Sequence, residues 1–204
     1  MANKKQEHTH DEDTNAKNET KVVMEAIEQD GLKVLGLIGD VDEAKSGDII
    51  YSLLSIEAVL QNNQEKEKNL DFYISTHGGN AVDMFAIYDV MRQVKKNCTI
   101  STIGIGKVMS AGVLLLASGT KGHRKIGKHC RVMLHSVVAG NEGPIHNLEN
   151  EMSEIRWTQE RYTSALIKET KMNKTTIKNL MDKKVNVYLS AEEAVKYGIA
   201  DQVI

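Results

Sequence analysis

A β-like run, Cys98-Thr-Ile-Ser-Thr-Ile-Gly-Ile105, passes through Gly106-Lys-Val-Met-Ser110-Ala-Gly112 into a short apolar helix predicted over residues 111–118. Strand, tight turn and helix in succession is the unit from which layered α/β folds are built, and the rest of the chain is organised around this one. Ser110 stands at the turn itself. At the first turn of a helix a serine hydroxyl projects from the backbone, while the free N–H groups behind it face any oxyanion that develops there. Serine is also a preferred N-cap residue, so position alone leaves Ser110 as either a nucleophile or a cap.

A chain of 204 residues with 41% hydrophobic and 26% charged content is long enough for one well-filled core. The first 20 residues are polar and charged and are expected to be a disordered tail; residues 21–204 are expected to form a single domain. His8 and His10 in that tail read as solvated, not as metal ligands, and no metal or cofactor is expected. A formal net charge of -2 and a pI near 6.4 give no basic footprint, which argues against nucleic acid or an anionic membrane as the main partner. Only Cys98 and Cys130 carry thiols, which read as buried groups in a reducing compartment. No apolar run approaches the roughly 20 residues that span a bilayer and no apolar signal region opens the chain, so a cytoplasmic location is expected.

Residues 34–38 read as a first strand ending in Gly39-Asp40, and residues 46–61 as a helix with Ile50, Leu53, Leu54 and Leu60 inward and Asp48 near its N-terminus. A strand over 70–75 runs into Thr76-His77-Gly78-Gly79-Asn80. Asn80 with Asp83 then starts a helix to about residue 96, whose apolar stripe is Met84, Ile87, Tyr88, Met91 and Val94. A Gly-Gly pair at such a turn lets the backbone approach a ligand, although the stretch lacks the Gly-Lys-Ser/Thr ending of a P-loop. A turn over 119–127 precedes a strand over 131–137, which carries His135 near its far end, where α/β folds place chemistry. A flexible stretch at 139–144 leads to a long helix over 147–171. Leu148, Met152, Ile155, Tyr162 and Leu166 form its seam, with Gln159 filling a gap, and that seam packs either within the chain or against a sister subunit. A weak helix over 173–183, the run 185–189 and a capped helix opening at Ser190 and stopping at Gly198 close the chain.

The class is therefore α/β, with Ser110, His135 and the Gly-Gly turn as a possible nucleophile, base and oxyanion donor. Several motifs follow in order: S-x-x-G-G at 75–79, A-I-Y-D-x-M at 86–91, S-T-I-x-I-G-x-x-x-S-x-G at 101–112, R-V-M-x-H at 131–135 and L-S-A-x-E-A-V-x-Y-G-x-x-D at 189–201. Together they resemble the proteolytic subunit of the Clp protease, and the likeness extends over residues 34–204.

The resemblance implies a crotonase-like fold of stacked ββα units with a protruding handle helix. It implies a serine endopeptidase in which Ser110 is the nucleophile, His135 the general base, and Gly79 and Ala111 the oxyanion-hole N–H donors. It also implies a homo-oligomer of two stacked seven-membered rings, a tetradecamer, joined through the long helix and fed with polypeptide by a ring-shaped ATP-driven unfoldase of the AAA+ type. The sequence departs from the family at three positions. Asn186 aligns with the aspartate that would hold the histidine tautomer; its carbonyl still accepts an imidazole N–H but brings no charge. His77 and Ser136 replace prolines beside the expected substrate strand, which bears on peptide preference. Asn186 keeps a non-catalytic or partner-activated ring subunit in view as an alternative, and the paired oxyanion donors keep in view an acyl-CoA enzyme of the crotonase superfamily.

Overall fold

Strict alternation in Asn69-Leu-Asp-Phe-Tyr-Ile-Ser-Thr76 puts Leu70, Phe72, Ile74 and Thr76 on one fully buried face, the period-2 signature of a strand. The computed structural model describes residues 33–62, 68–181 and 186–204. The proposed tail, with His8 and His10, lies outside these residues, and so does Asp182 beside the expected triad position. Residues Leu35–Ile204 form one unit around a continuous apolar core.

Among the described residues seven strands form one sheet: β1 (Val34–Ile38), β2 (Asn69–Thr76), β3 (Thr99–Met109), β4 (Arg124–Ile126), β5 (Arg131–Leu134), β6 (Val187–Leu189) and β7 (Gln202–Val203). The main path runs β1-β2-β3-β4-β7, with β5 pairing β3 and β6 pairing β5. β3 pairs in parallel with β2, β4 and β5, β4 pairs in parallel with β7, and β5 pairs antiparallel with β6. The helices among the described residues are α1 (Glu43–Asn62), α2 (Ala81–Val94), α3 (Ala111–Ala117), α4 (Ile145–Glu169), α5 (Lys174–Met181) and α6 (Ala191–Tyr197). This is the α/β class read from the sequence, and α4 is the long helix expected of a handle.

β3 is the central strand and is longer than its expected span. The first part, Thr102 to Gly104, pairs with β4, and the last part, Lys107 to Met109, pairs with β5. Between them the β2–β3 register shifts, with Gly106 at φ 63, so the strand changes partners at a bulge where only glycine is unstrained. α3 follows and is buried along its whole length, and its Val113, Leu114, Leu115 and Leu116 join Phe72, Met84 and Met91 in the core. Each such side chain contributes about 1.5–3 kcal/mol through its burial.

Several elements differ from expectation, among them the strand read over 131–137, which ends at Leu134. α1 begins at Glu43 because the Asp42 carboxylate accepts the Lys45 N–H at 2.8 Å, making Asp42 the cap and leaving Asp48 inside the helix. α4 starts at Ile145, since Pro144 fits just before a first turn that needs no N–H. β4 lies within the stretch read as a turn, and β7 was not foreseen. Both are two- or three-residue strands whose pairing is decided by partners far along the chain.

Candidate active site

β3 ends at Met109, α3 begins at Ala111, and Ser110 joins them at φ 52 and ψ -119. Among the described residues it is the one non-glycine with positive φ. A conformation of that kind costs about 1–3 kcal/mol and persists only where the surroundings impose it. A sharp strand-to-helix elbow of this form exposes a serine Oγ at the top of a sheet. The Ser110 side chain makes no capping hydrogen bond, which decides between the two readings of the sequence: it is not serving the helix.

Three hydrogen bonds hold the elbow. The Ser110 N–H donates to the Met133 carbonyl of β5 at 2.8 Å, and the Ser110 carbonyl accepts from the Val113 N–H at 3.0 Å and from the Tyr162 hydroxyl at 2.9 Å. The Gly78-Gly79 turn after β2 lies directly against the serine. A Cβ on Gly78 would sit 2.6 Å from Ser110 Cβ and 3.1 Å from its Oγ, so only glycine fits there. Thr76 Oγ1 accepts the Gly78 N–H at 2.9 Å, and Val41 bridges the turn by donating to the Gly78 carbonyl and accepting the Asn80 N–H, both at 2.8 Å. That bridge leaves the Gly79 N–H outside its pairing, and the Ala111 N–H, at the open end of α3, has no intrahelical acceptor. Asn80 caps α2 with its Oδ1, 2.7 Å from the Val82 N and 3.2 Å from the Asp83 N, the helix start read from the sequence.

β5 stops at Leu134, and half-buried His135 leaves its C-terminal end beside the elbow, because Met133 both pairs with Met109 and accepts the Ser110 N–H. The β5–β6 ladder pairs Val132 with Leu189, Met133 with Tyr188 and Leu134 with Val187. One step further along the same register sets His135 opposite Asn186, and side chains of directly opposed antiparallel residues share a face with Cβ atoms about 4.5–5.5 Å apart. Asn186 is exposed, and His135 has no hydrogen bond to it or to Ser110 among the described residues. Catalytic hydrogen bonds of this kind are commonly long without substrate and tighten in the complex.

One cleft of about 600 Å³ is lined by Gly79, Ser110, Ala111 and His135 together, with His77 and Tyr162 also on its wall. Four of the five site residues named from the sequence thus line one cavity, and Asn186 does not line it. Ser136, after the histidine, also lines the cleft and donates to the Met181 carbonyl at 3.2 Å. His77 faces Asp40 at 3.9 Å on the surface. No group of three potential metal-ligating side chains occurs among the described residues. Burial pushes the Cys130 thiol up to about 11 and raises Cys98 as well, which leaves both as inert packing groups.

Two residues at the site were read only as parts of a helical seam. Tyr162, placed there as an apolar contact, uses its hydroxyl on the Ser110 carbonyl. Gln159, placed as a gap in the seam, accepts the Val137 N–H at 2.7 Å through Oε1 and so ties the segment after His135 to α4. A polar residue interrupting an otherwise apolar stripe was the one signal available for Gln159.

A model of the Clp protease family matches residues 16–204. The ATP-dependent Clp protease proteolytic subunit 1 of Prochlorococcus marinus subsp. pastoris is 35% identical over 156 residues, which is 76% of this chain and 75% of the relative. The protein of the same name from Prochlorococcus marinus strain MIT 9312 is 33% identical over 172 residues, 84% of each chain.

Proposed function

The chain belongs to the Clp protease family, and from that premise we propose that Ser110, His135 and Asn186 carry out its peptide hydrolysis, with the N–H groups of Gly79 and Ala111 as the oxyanion hole. The protein is a peptidase of the serine class, and the family match favours neither the acyl-CoA enzyme nor the non-catalytic scaffold. The observation that carries the assignment of roles is the elbow at Ser110: a strained serine with no capping bond, packed against a Gly-Gly turn in a cleft that also holds His135.

Ser110 Oγ attacks the scissile carbonyl carbon as its proton passes to His135. The resulting oxyanion is held by the Gly79 and Ala111 N–H groups, each such donor contributing roughly 10²–10³ in kcat. Collapse breaks the C–N bond, the imidazolium gives its proton to the departing amine, and an ester to Ser110 remains. Water then attacks that ester as His135 takes its proton, releasing the acid and restoring the serine. Asn186 accepts the second imidazole N–H through its side-chain carbonyl. It orients the ring as the asparagine of a Cys-His-Asn site does, and supplies no charge to the imidazolium.

The exposed apolar residues of the first half of α4 support a larger assembly, which we read as two seven-membered rings stacked through that helix and fed by an ATP-driven unfoldase. The two relatives are named as subunits of an ATP-dependent protease. No helix among the described residues is long and apolar enough to cross a membrane, and the two buried free thiols support a reducing, cytoplasmic setting.

Intact-mass measurement after fluorophosphonate treatment, alongside a fluorogenic peptide assay, tests the assignment. Wild type is expected to gain one adduct per chain and to cleave the peptide, and Ser110→Ala to lose both while assembling normally. Cleavage retained in Ser110→Ala would refute it.

A further inference from the structure

The Ser110 carbonyl and the Ala111 N–H belong to one peptide unit, and a trans peptide is planar with its C=O and N–H directed oppositely. Whatever fixes the carbonyl therefore fixes the N–H. Here the carbonyl is turned along α3, where it meets the Val113 N–H at 3.0 Å and the Tyr162 hydroxyl at 2.9 Å, and its partner N–H is turned out of the open end of the helix. Of the contacts that hold the elbow, that of Tyr162 is the one made by a side chain, and it comes from α4, 52 residues further along the chain.

From this geometry we propose that Tyr162 is the positioning residue of the oxyanion hole, holding the 110–111 peptide plane so that the Ala111 N–H is aimed at the developing oxyanion before substrate arrives. The inference rests on the serine-peptidase reading of the site and adds to it a residue that acts through the 110–111 peptide. Three further observations support it. Tyr162 is 5% exposed and its ring packs in the core, so the hydroxyl has a fixed location. Burial raises its phenol well above the usual range, which keeps it a donor at any pH where the enzyme works. A carbonyl that accepts two hydrogen bonds is polarised, and in a peptide unit that polarisation strengthens the N–H as a donor.

The role has a signature that a packing role lacks. An oxyanion donor is used in the transition state and hardly in the ground state, so its misalignment lowers kcat and leaves KM alone. Tyr162→Phe removes one oxygen and keeps the ring. The assembled enzyme is expected to lose about tenfold in kcat, with KM within twofold of wild type and the affinity for a peptide boronic acid, whose tetrahedral adduct places an oxygen in the hole, falling in step with kcat/KM. Rates are normalised to sites counted by fluorophosphonate adduct in the assembled fraction isolated by size, so partial misassembly does not blur the result. Unchanged kcat per site, or a fall in kcat with boronate affinity intact, would overturn the proposal while leaving Ser110 as nucleophile. No adduct on wild type would remove the serine-peptidase reading itself, and this inference with it.

Discussion

Asn186 can hold an imidazole but cannot charge-stabilise an imidazolium, and this difference sets the first expectation at the scale of single residues. In a chymotrypsin-type triad, exchanging the aspartate for asparagine costs about 10⁴ in turnover. Extended one step past its last pair, Leu134 with Val187, the β5–β6 register would bring Asn186 opposite His135, so Asn186→Asp supplies a carboxylate at the proposed third position. Its fluorophosphonate labelling rate is expected to rise at least tenfold over wild type; an unchanged rate would show that the third position is not read by His135. Gly78 gives the opposite expectation. Gly78→Ala places a methyl 2.6 Å from Ser110 Cβ and 3.0 Å from the Met109 carbonyl at φ 105, so the elbow has to shift. A loss of about 1–3 kcal/mol in a denaturant melt, together with loss of labelling, is the expected result. Ser110, His135 and the Gly-Gly turn were legible in the sequence because each belongs to a local pattern of turn or strand end, whereas Gly79 and Ala111 as paired donors followed only from the family resemblance. Tyr162 was not legible, because a tyrosine in an apolar seam reads as core, and the acceptor of its hydroxyl lies on a different element.

Among the elements, long periodic ones were legible and short ones were not. The stripe on α2 is buried at the five positions its spacing predicts, whereas β4 and β7 exist because together they extend to its edge a sheet begun elsewhere. What fastens that edge is Arg124, a buried residue of β4. Its guanidinium donates to both Asp201 carboxylate oxygens and to the carbonyls of Ala117 and Glu169, and so joins β4, α3, α4 and the segment after α6. Hydrogen bonding to Arg124 holds the Asp201 carboxyl at about 2, against an ordinary 3.8. A carboxyl depressed in the folded state stabilises the fold fully above its unfolded value and loses that contribution as pH falls through the folded one. Stability is therefore expected to decline between about pH 3.8 and 2 through this pair. Asp201→Asn should melt at lower temperature than wild type at neutral pH and converge on it below that window. Parallel melting curves at every pH would contradict the pair's role.

At the scale of the whole molecule, α4 divides into two halves with different surroundings. Tyr162, Ala165, Leu166 and Glu169 are buried against the domain, and Glu169 accepts the Tyr88 hydroxyl at 2.9 Å. Towards the N-terminus, Ile145, Leu148 and Met152 stand at spacings of three and four on one face and are 68%, 37% and 48% exposed. The seam read from the sequence therefore packs on the domain along its second half and stays exposed along its first. A row of apolar side chains at that spacing has the form of one side of a helix–helix contact. In the proposed stacking it lies where a second ring would meet it. Leu148→Glu with Met152→Glu puts two charges into that contact while touching nothing buried, and surface changes of this kind alter protomer stability by no more than about 0.5 kcal/mol. The double variant is expected to keep its melting temperature and to have half the mass of wild type by light scattering, with peptide cleavage reduced. The reduction follows from the covalent layout, since the helix that carries the exposed row also carries Tyr162 on the Ser110 carbonyl and Gln159 on the Val137 N–H. A full-mass assembly in the variant would place the contact between rings on another surface and leave the exposed half of α4 without a partner.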